Sequence, residues 1–398
     1  MPKLTPNPEL DQLVRNLNRV EAQLDDEVPA LGTVWPSEVP EGNPVERLLA
    51  DMAQRGASDL LLVAGSPPVL RLGGHLVRSE GPHLTGGDVQ ELLGTFLSAR
   101  VREKLEQEGA ADFSLRLRRR SEDEERRVWC FRVNVHRQRG TLAAAFRALP
   151  SEIPTLQQLN LPASLAELVK PTRGLVLICG PTGSGKTSTL AALVGELNAN
   201  EARHIVTIEY EHRNGKSVIE QIEVGRDSPA FASALRASLR QDPDVILVGE
   251  MRDLETVSIA LTAAETGHLI LSTLHTSDVA SAIHRIVDVF PPQQQQQIKQ
   301  QLALSLNAIV VQHLIPRSDG AGRAVAVEVL LANYAVRNHI RQDKLQNLST
   351  EITLGIRHGM ISLEDSLSRL VQQGLITVED ARVRTTRVDE LESLLRPR

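Results

Sequence analysis

The sequence predicts an α/β protein with one domain built on a parallel sheet and a second, smaller α+β domain. Between Gly174 and Thr276, short apolar runs alternate with stretches of helical periodicity, the pattern of strands joined by helical crossovers. Those runs are apolar at nearly every position, as expected of strands covered on both faces. Upstream, from Val45 to about Pro154, one helical stretch precedes several strand-like runs without that alternation.

Residues 1–28 hold one short helical pattern, Leu10, Leu13, Val14, Leu17 and Val20. Prolines at 29, 36, 40 and 44 follow among scattered acids, so 1–44 reads as a helix tethered by an exposed linker. The smaller domain spans 45–154. VERLLADMAQRG has helical spacing and stops at Gly56, and DLLLVAG, PVLRLGG, VWCFRVNVHRQ and LAAAFRAL read as strands. The mixed-charge RLRRRSEDEERR reads as a solvated hairpin tip. Residues 155–172 carry prolines and a short amphipathic piece, and read as an interdomain linker.

The larger domain spans 173–333. GLVLICG, HIVTIE, DVILVGE and HLILSTLHT are its expected strands; KTSTLAALVGELNAN, SPAFASALRASLRQ and DLETVSIALTAAETG are its helices. From about Pro292 the chain reads as mostly helical, with glutamines 293–297 on a polar face beside QIKQQLALSLNAIVV. Residues 334–398 form a C-terminal helical region. SLEDSLSRLVQQG and TVEDARVR each open with Ser or Thr followed three residues later by Asp, a capping signature.

Composition narrows the function. A hydrophobic fraction of 41% and a charged fraction of 24% are ordinary for a soluble globular protein. A net charge of −6 and only 3% aromatic residues oppose direct nucleic-acid binding. Cys130 and Cys179 lie in apolar runs and read as reduced, buried thiols, and no CxxC pair is present for zinc. The N-terminus lacks the apolar core of a secretory signal, and no apolar stretch approaches the ~20 residues that span a bilayer. A cytoplasmic protein, attached to a membrane only through partners, is expected.

The chemistry begins at GPTGSGKT. A strand delivers the chain to this loop and a helix leaves it, the setting that gives the pattern its meaning. Gly180, Gly183 and Gly185, with Pro181, Thr182 and Ser184, let the backbone curl around phosphate oxygens at the helix N-terminus, with Ser188 in its first turn. Lys186 is expected to reach the β and γ phosphates, and Thr187 to offer its hydroxyl to Mg²⁺. Glu209 and Glu250 end strands, where α/β sheets present ligand-binding groups. One such carboxylate organises Mg²⁺ and the other orients water, Glu250 being the metal-side candidate. Asp244 precedes its apolar run and so lies at the wrong end. His275, at a strand tip beside Thr273 and Thr276, suits a phosphate sensor; His268 brackets the same strand. Alternation puts Phe131, Val133 and Val135 on one face of their strand and Arg132, Asn134 and His136 on the other. Arg132, exposed on a rigid element, suits an arginine finger, with a solvated strand face as the plain alternative.

From about Val45 to Arg387 the chain resembles the secretion ATPases of type IV pilus and type II systems, above all the pilus retraction (twitching-motility, PilT-like) branch. GASDLLL, FRVNVHRQRG, GPTGSGKTSTL, TIE at 207–209 and the long stretch from SALRASLRQDPDVILVGE to STLHT carry the resemblance, and AVRNHIRQDK at 335–344 resembles a segment associated with retraction motors. The resemblance implies a hexameric ring of subunits, each pairing a PAS-like N-terminal domain with a RecA-like ATPase domain. ATP and Mg²⁺ would bind between them. Glu209 would polarise the attacking water, Glu250 and Thr187 would serve the metal, His268 and His275 would line the site, and Arg132, with Arg137 or Arg139, would supply the finger. Hydrolysis would rotate domains, turn an inner-membrane platform protein and retract pilin; other pilus ATPases are further partners. The sequence departs from the pattern where Tyr210 stands in place of the usual aspartate, where Leu61 stands in place of the usual histidine, in an acidic box several residues short, and in the additional N-terminal extension to Pro44. The alternatives are a pilus assembly or type II secretion ATPase, disfavoured by the absence of a four-cysteine loop, and a hydrolysis-poor accessory regulator.

Overall fold

The chain divides between Ser151 and Glu152 into two units. The computed structural model describes residues 44–119, 127–149, 153–208, 215–224, 227–320 and 322–396. The expected helix at 10–20 and the linker that follows it lie outside the described residues.

In the first unit an N-terminal helix, α1 (Pro44–Gln54), leads to β1 (Asp59–Leu62), β2 (Val69–Leu72) and β3 (His75–Arg78). Helices α2 (Gly86–Leu93) and α3 (Ala99–Gln107) follow, then β4 (Ala110–Arg119), β5 (Arg127–Gln138) and β6 (Thr141–Leu149). The sheet order is β3-β2-β1-β6-β5-β4, with every neighbouring pair antiparallel. Phe131, Val133 and Val135 are buried and Arg132 is exposed, as the alternation along β5 requires. Arg139 and Gly140, both at positive φ, close the two-residue β5–β6 hairpin. The charged segment read as a hairpin tip is in part strand: β4 runs on to Arg119, pairing with Arg127. Residues 120–126 lie outside the described residues.

The second unit carries a seven-stranded sheet in the order β13-β12-β7-β11-β10-β8-β9. Its strands are β7 (Gly174–Cys179), β8 (His204–Ile208), β9 (Val218–Ile222), β10 (Val245–Val248), β11 (Leu269–Leu274), β12 (Leu306–Pro316) and β13 (Arg323–Leu331). From β12 to β9 neighbouring strands are parallel, and only β13 runs against its neighbour. Helices α4 (Lys186–Asn200), α5 (Phe231–Ser238), α6 (Leu254–Thr266), α7 (Val279–Asp288) and α8 (Pro292–Ser305) connect these strands. Strands β7, β10 and β11 are buried at every residue, because helices cover both faces. Leu156, Leu161, Leu165, Leu168 and Val169, from the segment read as a linker, share a core with Val176, Ile178 and Leu190.

The chain after Pro292 is mostly helical, as expected, but it also holds two strands that the sequence reading missed: α8 ends at Ser305, β12 begins at the next residue and β13 follows from Arg323. Leu306 turns to φ −63°, ψ 127°, so helix passes into strand without a glycine or proline to mark the change. Burial between β7 and β13 decides the conformation of the apolar NAIVV run.

Beyond the sheet lie α9 (Tyr334–Arg341), α10 (Leu348–Leu354), α11 (Leu363–Gln372), α12 (Val378–Arg384) and α13 (Val388–Leu395). Ser362 caps α11 and Thr377 caps α12, each hydroxyl accepting the amide three residues on. Arg337 of α9 donates through Nη1 to the carbonyls of Ala303 and Leu304, both at 2.6 Å, and through Nε to Ala332 at 2.9 Å. It thereby satisfies carbonyls that the last turn of α8 leaves open.

Candidate nucleotide-binding site

The loop between β7 and α4 is shaped by its glycines. At φ +144° Gly180 occupies a conformation closed to L side chains, and a Cβ there would strike the main-chain oxygen of Gln312. Gly185, at φ +88°, ends the loop and precedes the helix. Pro181, Thr182 and Gly183 are exposed on the outer arc, whereas Ser184 and Lys186 are buried. Thr187 and Ser188 follow in the first turn of α4, Thr187 exposed and Ser188 half-buried. Helix α4 thus aims the positive end of its dipole and its unpaired amides at the loop.

Lys186 curls back over this loop. Its Nζ donates to the carbonyls of Gly180 and Pro181, each at 2.9 Å, and lies 3.4 Å from Nδ1 of His275. Burial lowers the pKa of this ammonium, while Glu250 pulls it the other way. A cation held by neutral carbonyls beside an exposed, amide-lined arc favours an anion there.

Strand order brings the remaining groups together. Strand β11 lies between β7 and β10, so the residue after its tip faces those that follow both neighbours. His275 follows β11, Lys186 follows β7 and Glu250 follows β10. Nδ1 of His275 is 3.3 Å from the Thr182 hydroxyl, and its Nε2 is 3.3 Å from Oε2 of Glu250. The other carboxylate oxygen of Glu250 pairs with Nε of Arg252 at 2.6 Å. Burial pushes the Glu250 carboxyl up, but Arg252 and His275 outweigh it and leave the pKa below its ordinary value. The group therefore stays ionised. The Thr273 hydroxyl donates to the Gly249 carbonyl at 2.6 Å and ties the two strand tips together.

The other sequence candidates fall elsewhere. Glu209 lies outside the described residues, one position past β8. Arg132 belongs to the first unit, where it stands in register with Arg147 and Ser114. His268 does not join His275: it precedes β11, its carbonyl accepts the Gly174 amide at the start of β7, and its ring meets the Ala263 carbonyl. It is at the opposite end of the sheet from the loop, because strand β11 separates the two histidines. Asp244 is at that opposite end too, accepting the His204 amide at 2.8 Å. Gln312 of β12, which sequence reasoning passed over, lies directly under the loop. Its only signal was a polar pair, Gln312 and His313, inside the apolar run AIVVQHLI.

The family of type II/IV secretion system proteins matches residues 151–342. The type IV pilus retraction ATPase PilT of Pseudomonas aeruginosa is 42% identical over 342 residues, covering 85% of this chain and 97% of that protein. The twitching motility protein of Neisseria gonorrhoeae is 40% identical, covering 81% of this chain and 85% of that protein. A crystal structure of the pilus retraction motor PilT with bound ADP aligns at a TM-score of 0.77 and 44% identity, covering 88% of this chain and 99% of that one.

Proposed function

We propose, since the chain belongs to the type IV pilus retraction ATPases of the type II/IV secretion family, that it hydrolyses ATP as a hexameric ring to retract pili. Its second unit has the RecA-like ATPase fold of that family. The observation that carries the reading is the continuous line from Lys186 through His275 to Glu250 across three neighbouring strand tips.

These positions support the following mechanism. The triphosphate lies along the loop Gly180–Gly185, held by amides at the N-terminus of α4. The Lys186 ammonium exchanges the carbonyls of Gly180 and Pro181 for the β and γ phosphates. The site fits Mg²⁺. Thr187 and Glu250 offer hard oxygen donors, and Mg²⁺ is ordinarily held by one or two carboxylates together with substrate phosphates. Among the described residues no group of three or more His, Cys, Asp or Glu forms a metal cage of its own. Bound there, Mg²⁺ would neutralise charge developing on the transferred phosphoryl group. His275 touches both the lysine and the carboxylate, so it reports a change at the γ phosphate to Glu250. Glu209 orients the attacking water, and Arg132 supplies the finger.

The inner-membrane platform protein of the pilus machine is the proposed partner, with other pilus ATPases as further ones. The proposed place of work is the cytoplasmic face of that membrane. Among the described residues no helix is long and apolar enough to cross it. Deleting the gene tests the reading: excess, unretracted pili and lost surface motility are expected. Bald cells would point to assembly, and a purified protein without Mg²⁺-ATP turnover would point to an accessory regulator.

A further inference from the structure

We infer that Gln312 is a positioning residue that holds the phosphate-binding loop in shape from beneath. This deepens the nucleotide-site reading and rests on it.

Strand β12 is almost wholly buried, and Gln312 in its second half is only 2% exposed. A primary amide there is costly unless its polar atoms are paired. Its Oε1 accepts the Thr189 hydroxyl at 2.8 Å, a bond spanning 123 residues of sequence. Thr189 lies in the first turn of α4, and its hydroxyl also approaches the Gly185 carbonyl at 3.2 Å. The amide Nε2 stands 2.9 Å from where a Cβ on Gly185 would be, and the main-chain oxygen occupies the place of a Cβ on Gly180. One residue therefore touches the start of the loop, its end and the helix that follows.

The sheet sets the height of this support. Val311 pairs with Cys179, the last residue of β7, so the neighbouring Gln312 meets the loop as it leaves the strand. On the other side Gln312 pairs with Val327 of β13. The two glycines can take left-handed conformations, but nothing in their own chemistry selects one. The packing of Gln312 against both, with its bond to Thr189, fixes which shape the loop keeps. Preorganisation of this kind acts on phosphate affinity, whereas a plain core contact acts on stability alone.

The test uses the full chain with Gln312→Met, which keeps length and removes the acceptor, with Thr189→Val and Thr189→Ser, and with the Gln312→Met/Thr189→Val pair. Binding of ADP and of Mg²⁺-ATPγS is titrated, and the melting temperature is read without nucleotide. Gln312→Met and Thr189→Val are each expected to weaken both nucleotides about tenfold. The pair should lose little more than either alone, since both delete one bond. Thr189→Ser keeps the donor and should bind as wild type does. Variants that melt lower yet bind as wild type would overturn the inference, as would additive losses in the pair. If Gln312→Met does not fold, the contrast between Thr189→Val and Thr189→Ser decides: equal affinities overturn it. Wild-type protein indifferent to both nucleotides would instead sink the nucleotide-site reading itself.

Discussion

His275 and Glu250 meet at 3.3 Å, Nε2 to Oε2, across the tips of two adjacent parallel strands. With the Lys186 ammonium facing Nδ1, that nitrogen accepts and the Nε2–H donates to the carboxylate. The ring thus has one orientation, and Glu250 is held by two partners, His275 and Arg252. Replacing His275 with Ala removes one of them. Turnover should fall about 10²-fold while nucleotide affinity changes little, because the group orients rather than binds. Steady-state rates beside a nucleotide titration check this.

Glu250→Ala removes the ionised carboxylate itself. It should spare nucleotide binding and stop hydrolysis. A variant that turns over at the wild-type rate would take Glu250 out of the chemistry.

Lys186→Ala should abolish nucleotide binding or turnover. The buried ammonium is the cation nearest the loop carbonyls, and alanine leaves the phosphates without it. Full ATPase activity in this variant would mean that the loop is not the phosphate site.

Arg132→Ala tests the first unit. An arginine finger contributes ~10³ or more to rate and little to ground-state affinity. Turnover of the assembled ring should therefore fall steeply while ADP binding holds. Equal activity of the two rings would move the finger to another arginine.

Glu328 sets a pH dependence of stability. Burial raises its pKa from 4.5 to about 7, Glu364 and Asp278 adding to the rise and Arg387 and the Val279 amide opposing it. The folded chain then keeps a proton that the unfolded chain releases. Stability is fullest below about pH 4.5 and declines as pH rises towards 7, by on the order of 3 kcal/mol from this group. Glu328→Gln should flatten that part of the profile. Urea midpoints between pH 4.5 and 8 read it directly, and an unchanged slope would contradict it.

Much of the larger unit is legible in the sequence because its rules are local. The helix read from KTSTLAALVGELNAN is Lys186–Asn200 residue for residue, and Ser362 and Thr377 cap where their spacing says they should. What escaped was decided by tertiary context. Strand β12 was hidden because the apolar run after Gln301 satisfies helix and buried strand alike, and only the neighbouring β7 chooses between them. His268 and His275 bracket one strand in the sequence, yet the length of that strand keeps them apart. Gln312 is the opposite case, remote from Thr189 along the chain and bonded to it in space.

The three carbonyls gripped by Arg337 have a mechanical consequence. They belong to the last turn of α8 and to the exit of β13, and α8 runs straight into β12. A tug on α9 would therefore pass through the Arg337 side chain onto the main chain where α8 ends and β12 begins. It would arrive at the strand lying alongside β7, whose far tip opens into the glycine loop. Traction outside and phosphate inside would be two ends of one short, stiff tether.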